Sequence, residues 1–246
     1  MSGVFAGSAS SRSVFVAGTD TGIGKTVVST SLLAALNSHG RRAVGMKPVA
    51  SGCTAGAHGL RNDDAQRMIA HSAGDPDYAL VNPYALPEPV APHLAARAAG
   101  VEIRLAPIVA AFGTLRTQAD VIVVEGVGGW AVPFSSTLMQ SDLVRALDLP
   151  VILVVGLRLG CLNHALLSAR AIESDGCRLL GWIGNCIDPA MARVEENLAT
   201  LRERLTAPCL GVLPFVASAD PRLAAAHVES AVCAVERTRE PVAGSR

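Results

Sequence analysis

The chain carries no surplus charge of either sign. Its 21 Lys and Arg balance 21 Asp and Glu, so no global field recruits DNA, RNA or an acidic membrane, and only a local basic patch is left open. It also lacks paired cysteines: Cys53, Cys161, Cys177, Cys186, Cys209 and Cys233 are scattered, with no C-x-x-C. No charged start followed by an apolar core opens the chain, and both absences point to a reducing cytoplasm. Apolar runs such as VILVVG (151–156) fall far short of the roughly 20 residues that span a bilayer. No internal repeat is visible. The expectation is a soluble cytoplasmic protein without a nucleic-acid or membrane partner.

What is present is core-forming mass, because half of the 246 residues are hydrophobic and only 17% are charged. That composition fits one α/β domain better than two small ones. Short β-branched runs alternate with helical patterns: VFVA (14–17), AVGM (43–46), VIVV (121–124), VILVV (151–155), LLGWIG (179–184) and LGVL (210–213). Continuous apolar runs separated by helices mark strands buried on both faces of a parallel sheet. The pattern predicts helices near 25–39, 62–73, 104–117, 163–175, 191–205 and 221–235, the first closed by Gly40. The expected domain is 14–235, with 1–13 and 236–246 as flexible tails. The Pro-rich stretch 75–93 reads as a long loop, either a lid or a tolerated insertion.

In open α/β sheets ligands bind beyond the carboxyl ends of the strands, so the residues after each run define the candidate rim. GTDTGIGKT follows the first run, Lys47-Pro48 the second, Glu125-Gly126 the third, and Gly156 and then RLGCLNHA the fourth. In the first of these, Gly22 and Gly24 free the backbone to turn its N–H groups toward an anion. A helix starting near Lys25 adds its positive end, Lys25 reaches the outer phosphates, and Thr26 offers a hydroxyl to Mg²⁺. The spacing is one residue off G-x-x-x-x-G-K-[ST], since Thr19 stands where its first glycine belongs.

A hydroxyl cannot hold Mg²⁺ alone, and Glu125, closing the VIVV run, is the first carboxylate candidate. Asp63 and Asp64 open a helical pattern, and spacing alone makes them caps. Lys47 places a second cation at a strand end beside the loop, where it can act on charge developing at a transferred phosphoryl group. The bland reading is a strand-end lysine in water; the turn containing Ser51 and Gly52 favours function.

Taken in order, GTDTGIGKT, KPVASG, GLRNDDA, VNPY, VEGVGGW, VILVVGLRLGCLNHALL and GNCIDP resemble the dethiobiotin synthetase family over about residues 14–220. The resemblance accounts for the extra loop residue, because GTDT-x-x-GKT is the family's own spacing. It implies a three-layer P-loop NTPase fold, a mostly parallel sheet flanked by helices. It also implies the chemistry: CO2 forms a carbamate on one amine of 7,8-diaminononanoate, the carbamate attacks the γ-phosphate of ATP, and the second amine closes the ureido ring. By similarity Thr26, Asp64 and Glu125 hold Mg²⁺, which replaces the cap reading of Asp64. Lys25, Lys47 and Thr21 carry the chemistry, with Ser51 positioning the diamine.

The resemblance further implies nucleotide contacts from Gly22, Ile23, Gly24, Val27, Gly126, Val127 and Gly128, and base contacts from Asn185, Cys186, Pro214, Phe215 and Val216. Gly160, Cys161 and Asn163 would receive the substrate's carboxylate tail from a neighbouring subunit, which makes the enzyme a homodimer. Helix capping is the alternative for Asn163 and the preferred reading of His164. Asn185-Cys186-Ile187-Asp188 has the spacing of a guanine reader but lacks its lysine, so the base reads as adenine. Of the rival classes, a partner-controlled ATPase switch commonly has a lysine where Asp20 stands. An amidoligase would need a glutaminase domain for which 246 residues leave no room. A dinucleotide dehydrogenase would need a G-x-G-x-x-G after a strand.

Overall fold

The computed structural model describes residues 12–215 and 221–238. In chain order the elements are β1 (Val14–Gly18), α1 (Lys25–Ser38), β2 (Ala43–Met46), β3 (Val49–Ala50), β4 (Thr54–Gly56), β5 (Gly59–Arg61), α2 (Asp63–Ala70), α3 (Tyr78–Val81), β6 (Tyr84–Ala85), α4 (Pro92–Ala98), α5 (Leu105–Gln118), β7 (Val121–Glu125), α6 (Gln140–Leu147), β8 (Val151–Leu157), α7 (Cys161–Ser174), β9 (Leu179–Cys186), α8 (Val194–Arg204), β10 (Cys209–Leu213), α9 (Pro221–Ala225), a 3₁₀ turn (Ala226–Val228) and α10 (Glu229–Glu236). Six strands form one sheet in the order β10-β9-β8-β1-β7-β2, and every pairing in it is parallel.

The six expected apolar runs are the six strands of this sheet. β1, β7 and β8 are buried at every position, and side chains alternate between two cores. Phe15 and Ala17 join one cluster with Phe112, Leu143 and Trp182; Val14 and Val16 join the other with Leu32, Leu36 and Val232. A sheet covered on both faces is the three-layer arrangement, and its central strands have no polar side to alternate with. β1 lies between β7 and β8, so the segments that leave these three strands meet at one edge.

Several expectations change. The 75–93 stretch is structured: it contains α3 and β6, and β6 pairs in parallel with β3 through Val49–Tyr84 and Ala50–Ala85. The Leu86 carbonyl accepts the Cys53 N–H at 2.9 Å and the Glu88 carbonyl the Gly52 N–H at 3.0 Å, so the segment is stitched to the turn after Lys47. Helix α6 and the β4–β5 hairpin were not foreseen, and the expected C-terminal helix is split by the 3₁₀ turn. Gly40 does end α1, with φ 76°. The expected tails fall largely outside the described residues; Ser13 is buried and accepts the Ile122 N–H at 3.2 Å, and Glu236 pairs with Arg41 at 2.8 Å.

One glycine of the sheet determines where the phosphate loop can sit. A Cβ on Gly156 would meet Ile23 Cγ2 at 2.6 Å and Ile187 Cδ1 at 2.8 Å, so β8 can support the buried Ile23 only without a side chain there. Gly156→Ala is therefore expected to cost about 1–3 kcal/mol through overpacking and to weaken nucleotide binding with it. Chemical denaturation and nucleotide titration of the variant check both effects.

Candidate functional site

At the carboxyl edge of the sheet a cleft of about 740 Å³ is lined by Thr21, Gly22, Gly24, Lys25, Thr26 and Val27 from the loop after β1. Lys47, Ser51, Asp64, Glu125, Val127 and Gly128 line it from the other segments. The loop enters α1 through Gly24, whose φ of 85° lies in the left-handed region. A Cβ there would stand 2.1 Å from Asn185 Nδ2, so glycine is required twice over. Below the loop, Asn185 donates from Nδ2 to the Ile23 carbonyl at 2.8 Å. Lys25 curls back, donating to the Asp20 carbonyl at 3.0 Å and the Gly128 carbonyl at 2.5 Å.

The cleft's centre is an ion pair. Lys47 Nζ lies 2.5 Å from Glu125 Oε1 and 3.2 Å from Asp64 Oδ2, and also donates to the Gly126 carbonyl at 3.0 Å. The Thr26 hydroxyl donates to the same Glu125 oxygen at 3.0 Å. Lys47 is 3% and Glu125 0% exposed, so the reading of Lys47 as a strand-end lysine in water is set aside. Burial opposes the charge on Lys47, but the Glu125 and Asp64 carboxylates outweigh it and raise its pKa. Burial likewise opposes the Asp64 carboxylate, yet Lys47, Thr26 and Lys25 hold its pKa below the ordinary value. Lys25 has no carboxylate partner, and burial reinforced by the neighbouring Lys47 charge lowers its pKa to about 8.

Asp63 and Asp64 are not caps. Asn62 caps α2, its Oδ1 accepting the Ala65 N–H at 3.2 Å, which leaves Asp64 in the first turn, reaching Lys47. Likewise Gly160, not Asn163 or His164, occupies the N-cap of α7, and no side chain caps that helix. The base candidates Asn185 and Cys186 end β9 and Pro214 and Phe215 follow β10, outside the cleft lining; Val216 lies outside the described residues. Gly160, Cys161 and Asn163 stand at the start of α7, outside the lining of this chain's own cleft.

Sequence reasoning missed the residues that hold the site from behind. Asn82 donates to the Lys47 carbonyl at 2.6 Å and accepts the Tyr78 hydroxyl at 2.9 Å, while that hydroxyl accepts the Asn62 N–H at 2.8 Å. One chain of bonds thus links the metal-candidate helix to the strand-end lysine. Buried Gln140 accepts the Val127 N–H and donates to the Gly129 carbonyl, both at 2.8 Å, fixing the glycine-rich turn after Glu125. VNPY carried a signal for Asn82; nothing local marks Gln140. Arg67, Val90 and Pro133 also line the cleft and were not foreseen.

The donors suit a hard divalent cation. Glu125 Oε2 is buried with no hydrogen-bond partner, beside one hydroxyl and a second carboxylate. Among the described residues no group of three His, Cys, Asp or Glu could hold a metal, so a cation here would lean on Thr26, Asp64, Glu125 and phosphate oxygens, as Mg²⁺ commonly does.

A family model described as an AAA domain matches residues 12–222. The protein named ATP-dependent dethiobiotin synthetase BioD from Xanthomonas axonopodis pv. citri is 61% identical over 206 residues, covering 84% of this chain and 92% of that protein. Its namesake from Xylella fastidiosa (strain 9a5c) is 62% identical over 202 residues, covering 82% and 89%. The chain belongs to the ATP-dependent dethiobiotin synthetase family. As a member it is a ligase of biotin biosynthesis. Among solved structures, the MinD cell division protein of Aquifex aeolicus aligns with a TM-score of 0.56 at 15% identity over 93% of this chain and 98% of that one. At that identity the likeness is one of fold, the P-loop NTPase fold. No helix among the described residues is long and apolar enough to cross a membrane.

Two consequences of this geometry are measurable. Replacing one partner of a buried ion pair strands the other charge, so Lys47→Met is expected to destabilise the synthetase by about 3–5 kcal/mol, and Lys47→Met with Glu125→Gln by much less. Denaturant midpoints of the two variants decide it. Because the Lys25 pKa lies near 8 in the free cleft, its charge is complete below that pH and lost above it. Metal-free ADP binding, followed by calorimetry in EDTA, should hold steady to about pH 8 and weaken beyond it.

Proposed function

We propose that this synthetase carboxylates 7,8-diaminononanoate and closes its ureido ring, consuming CO2 and ATP with Mg²⁺ and releasing dethiobiotin, ADP and phosphate. The observation that carries the reading is the convergence of Lys25, Lys47, Thr26, Asp64 and Glu125 in one cleft with the unpartnered, buried Ser51 hydroxyl.

Thr26, Asp64 and Glu125 would hold the cation, which when bound supplies charge neutralisation on the phosphate oxygens. Lys25 and the loop N–H groups bind the triphosphate, and Lys47, fixed by Glu125 and the Gly126 carbonyl, stands where negative charge passes from carbamate to phosphoryl oxygens. Thr21 and Ser51 hold the diamine and its carbamate for in-line attack; their contribution is positioning rather than covalent chemistry. Loss of phosphate as the second amine attacks needs no further cofactor. Pro214 to Val216, with Asn185 and Cys186, are the segments assigned to the adenine base.

The start of α7 fits the substrate's carboxylate, since free N–H groups at a helix N-terminus favour an anion. It lies outside this chain's own cleft, which supports a homodimer in which Gly160, Cys161 and Asn163 serve a neighbouring copy. Leu159 beside it is 95% exposed and Leu167 on α7 is 55% exposed, apolar surface that such a contact would cover. A cytoplasmic location follows from the biosynthetic role.

Phosphate release from Mg-ATP and bicarbonate, with and without the diamine, tests the assignment. Release that requires the diamine, with mass spectrometry detecting the ring-closed product, is expected. Turnover independent of the diamine but stimulated by DNA or membrane would move the ATPase switch to the front. Lys47→Ala, verified as folded, should keep nucleotide binding within a few-fold and lose about 10²-fold or more in turnover.

A further inference from the structure

Three successive alternate residues at the end of β8 tie down the first half of the phosphate loop. The Val154 carbonyl accepts the Thr19 N–H at 3.0 Å, the Gly156 N–H donates to Thr19 Oγ1 at 3.4 Å, and Arg158 Nη2 donates to Asp20 Oδ2 at 2.5 Å. The first tie is backbone to backbone and would exist for most sequences that follow this path, whereas the second needs the Thr19 hydroxyl. The third depends on side-chain choice at both ends.

Asp20 is the branch point. Its Oδ1 accepts the Thr21 N–H at 2.7 Å, its Oδ2 accepts Arg158, and its carbonyl accepts Lys25 Nζ at 3.0 Å. One residue thus orients Thr21, which lines the cleft, and Lys25, which reaches the phosphates. The Arg158 carbonyl in turn accepts the N–H of Cys161, the first residue of α7, at 3.0 Å, so this one residue joins the loop to a helix start that lies outside the lining of this chain's cleft.

We propose that Arg158 is a positioning residue for the ligase reaction, acting through Asp20 to fix Thr21 over the reacting end of the diamine. Its guanidinium bonds Asp20 and lies outside the cleft lining, so it acts without touching nucleotide or diamine. The proposal rests on the synthetase reading above but is separable from it. Both side chains are more than a third exposed, and an exposed ion pair adds little to global stability, so a loss of turnover in the variant could not be ascribed to unfolding. A carboxylate accepting from two sides, however, is held in one rotamer, and small displacements near reacting atoms are costly in rate.

The test compares Arg158→Met, Arg158→Lys, Asp20→Asn and the Arg158→Met/Asp20→Asn double variant of the full chain. Expected for Arg158→Met is about a tenfold fall in kcat with the diamine, ATP binding within twofold of the parent and an unchanged melting temperature. Arg158→Lys, which keeps the charge but gives up the planar fork, should recover most of the loss, and the double variant should be no worse than either single one. A second readout is independent of the reaction: in the Arg158→Met protein the Thr21 amide should move in the ¹⁵N–¹H spectrum and exchange several-fold faster with solvent. Parent-like kcat, or a Thr21 amide that neither shifts nor exchanges faster, would overturn the proposal even if the diamine is the substrate. If the parent shows no diamine-dependent turnover, the synthetase reading fails on its own evidence and the amide readout still decides whether Arg158 orders the loop.

Discussion

The contact on which the site depends is the buried bond between Lys47 and Glu125. It joins the ends of β2 and β7, neighbours in the sheet, at a point where neither charge reaches bulk water. Taking two such ions out of solvent costs several kcal/mol each, and an apolar pair of similar volume is commonly as stable or more so. Stability alone therefore does not explain the pair. What it achieves is an ammonium with all three donors committed, to Glu125, Asp64 and the Gly126 carbonyl, and hence fixed in position before any substrate arrives. Electrostatic catalysis rests on such preorganisation, because a charge already oriented needs no rearrangement as the reaction proceeds.

The remaining structure reads as support for that placement. Asn82 grips the Lys47 carbonyl, Tyr78 connects Asn82 to the start of α2, and α2 presents Asp64 to the same ammonium. Gln140 shapes the turn after Glu125. Across the sheet Gly156 and Asn185 carry Ile23 and so the loop that bears Lys25 and Thr26. Asn82, Gln140 and Asn185 each grip a backbone carbonyl or N–H, which is how a rigid scaffold positions functional loops without occupying the cleft itself.

How much of this was legible in the sequence follows from where each constraint lies. The six strands were legible because burial on both faces leaves unbroken runs such as VIVV and VILVV, and Gly24, Lys25 and Thr26 because phosphate loops compress their chemistry into consecutive residues. Asp64 was not legible from spacing: a carboxylate in the first turn of a helix serves the dipole equally well, and only the fold brings it to Lys47, which precedes it by a hairpin. Gln140 left no mark, since a buried glutamine bonded to two distant main-chain groups has no periodicity. The 75–93 stretch misled because its prolines favour a loop, while the pairing of β6 with β3 is decided by a segment 35 residues earlier.

The distribution of cations across the cleft bears on why two lysines are needed. Lys25, without a carboxylate partner, has its pKa brought down to about 8 by burial and by Lys47; Lys47, between two carboxylates, has its pKa raised. On the proposed function the two would therefore respond differently to an arriving triphosphate. Lys25 gains a strong counter-ion that it lacks in the free protein, and its charge becomes more secure; Lys47 already has its counter-ions and gains little. On the proposed function, binding energy would be drawn mainly through Lys25, while Lys47 would offer a charge held in place before any negative charge develops beside it. An interaction that strengthens between the bound state and the transition state is one that accelerates turnover rather than one that only tightens binding, and on the proposed function a lysine without a carboxylate partner beside one held by two carboxylates would assign those two tasks to different residues of a single cleft.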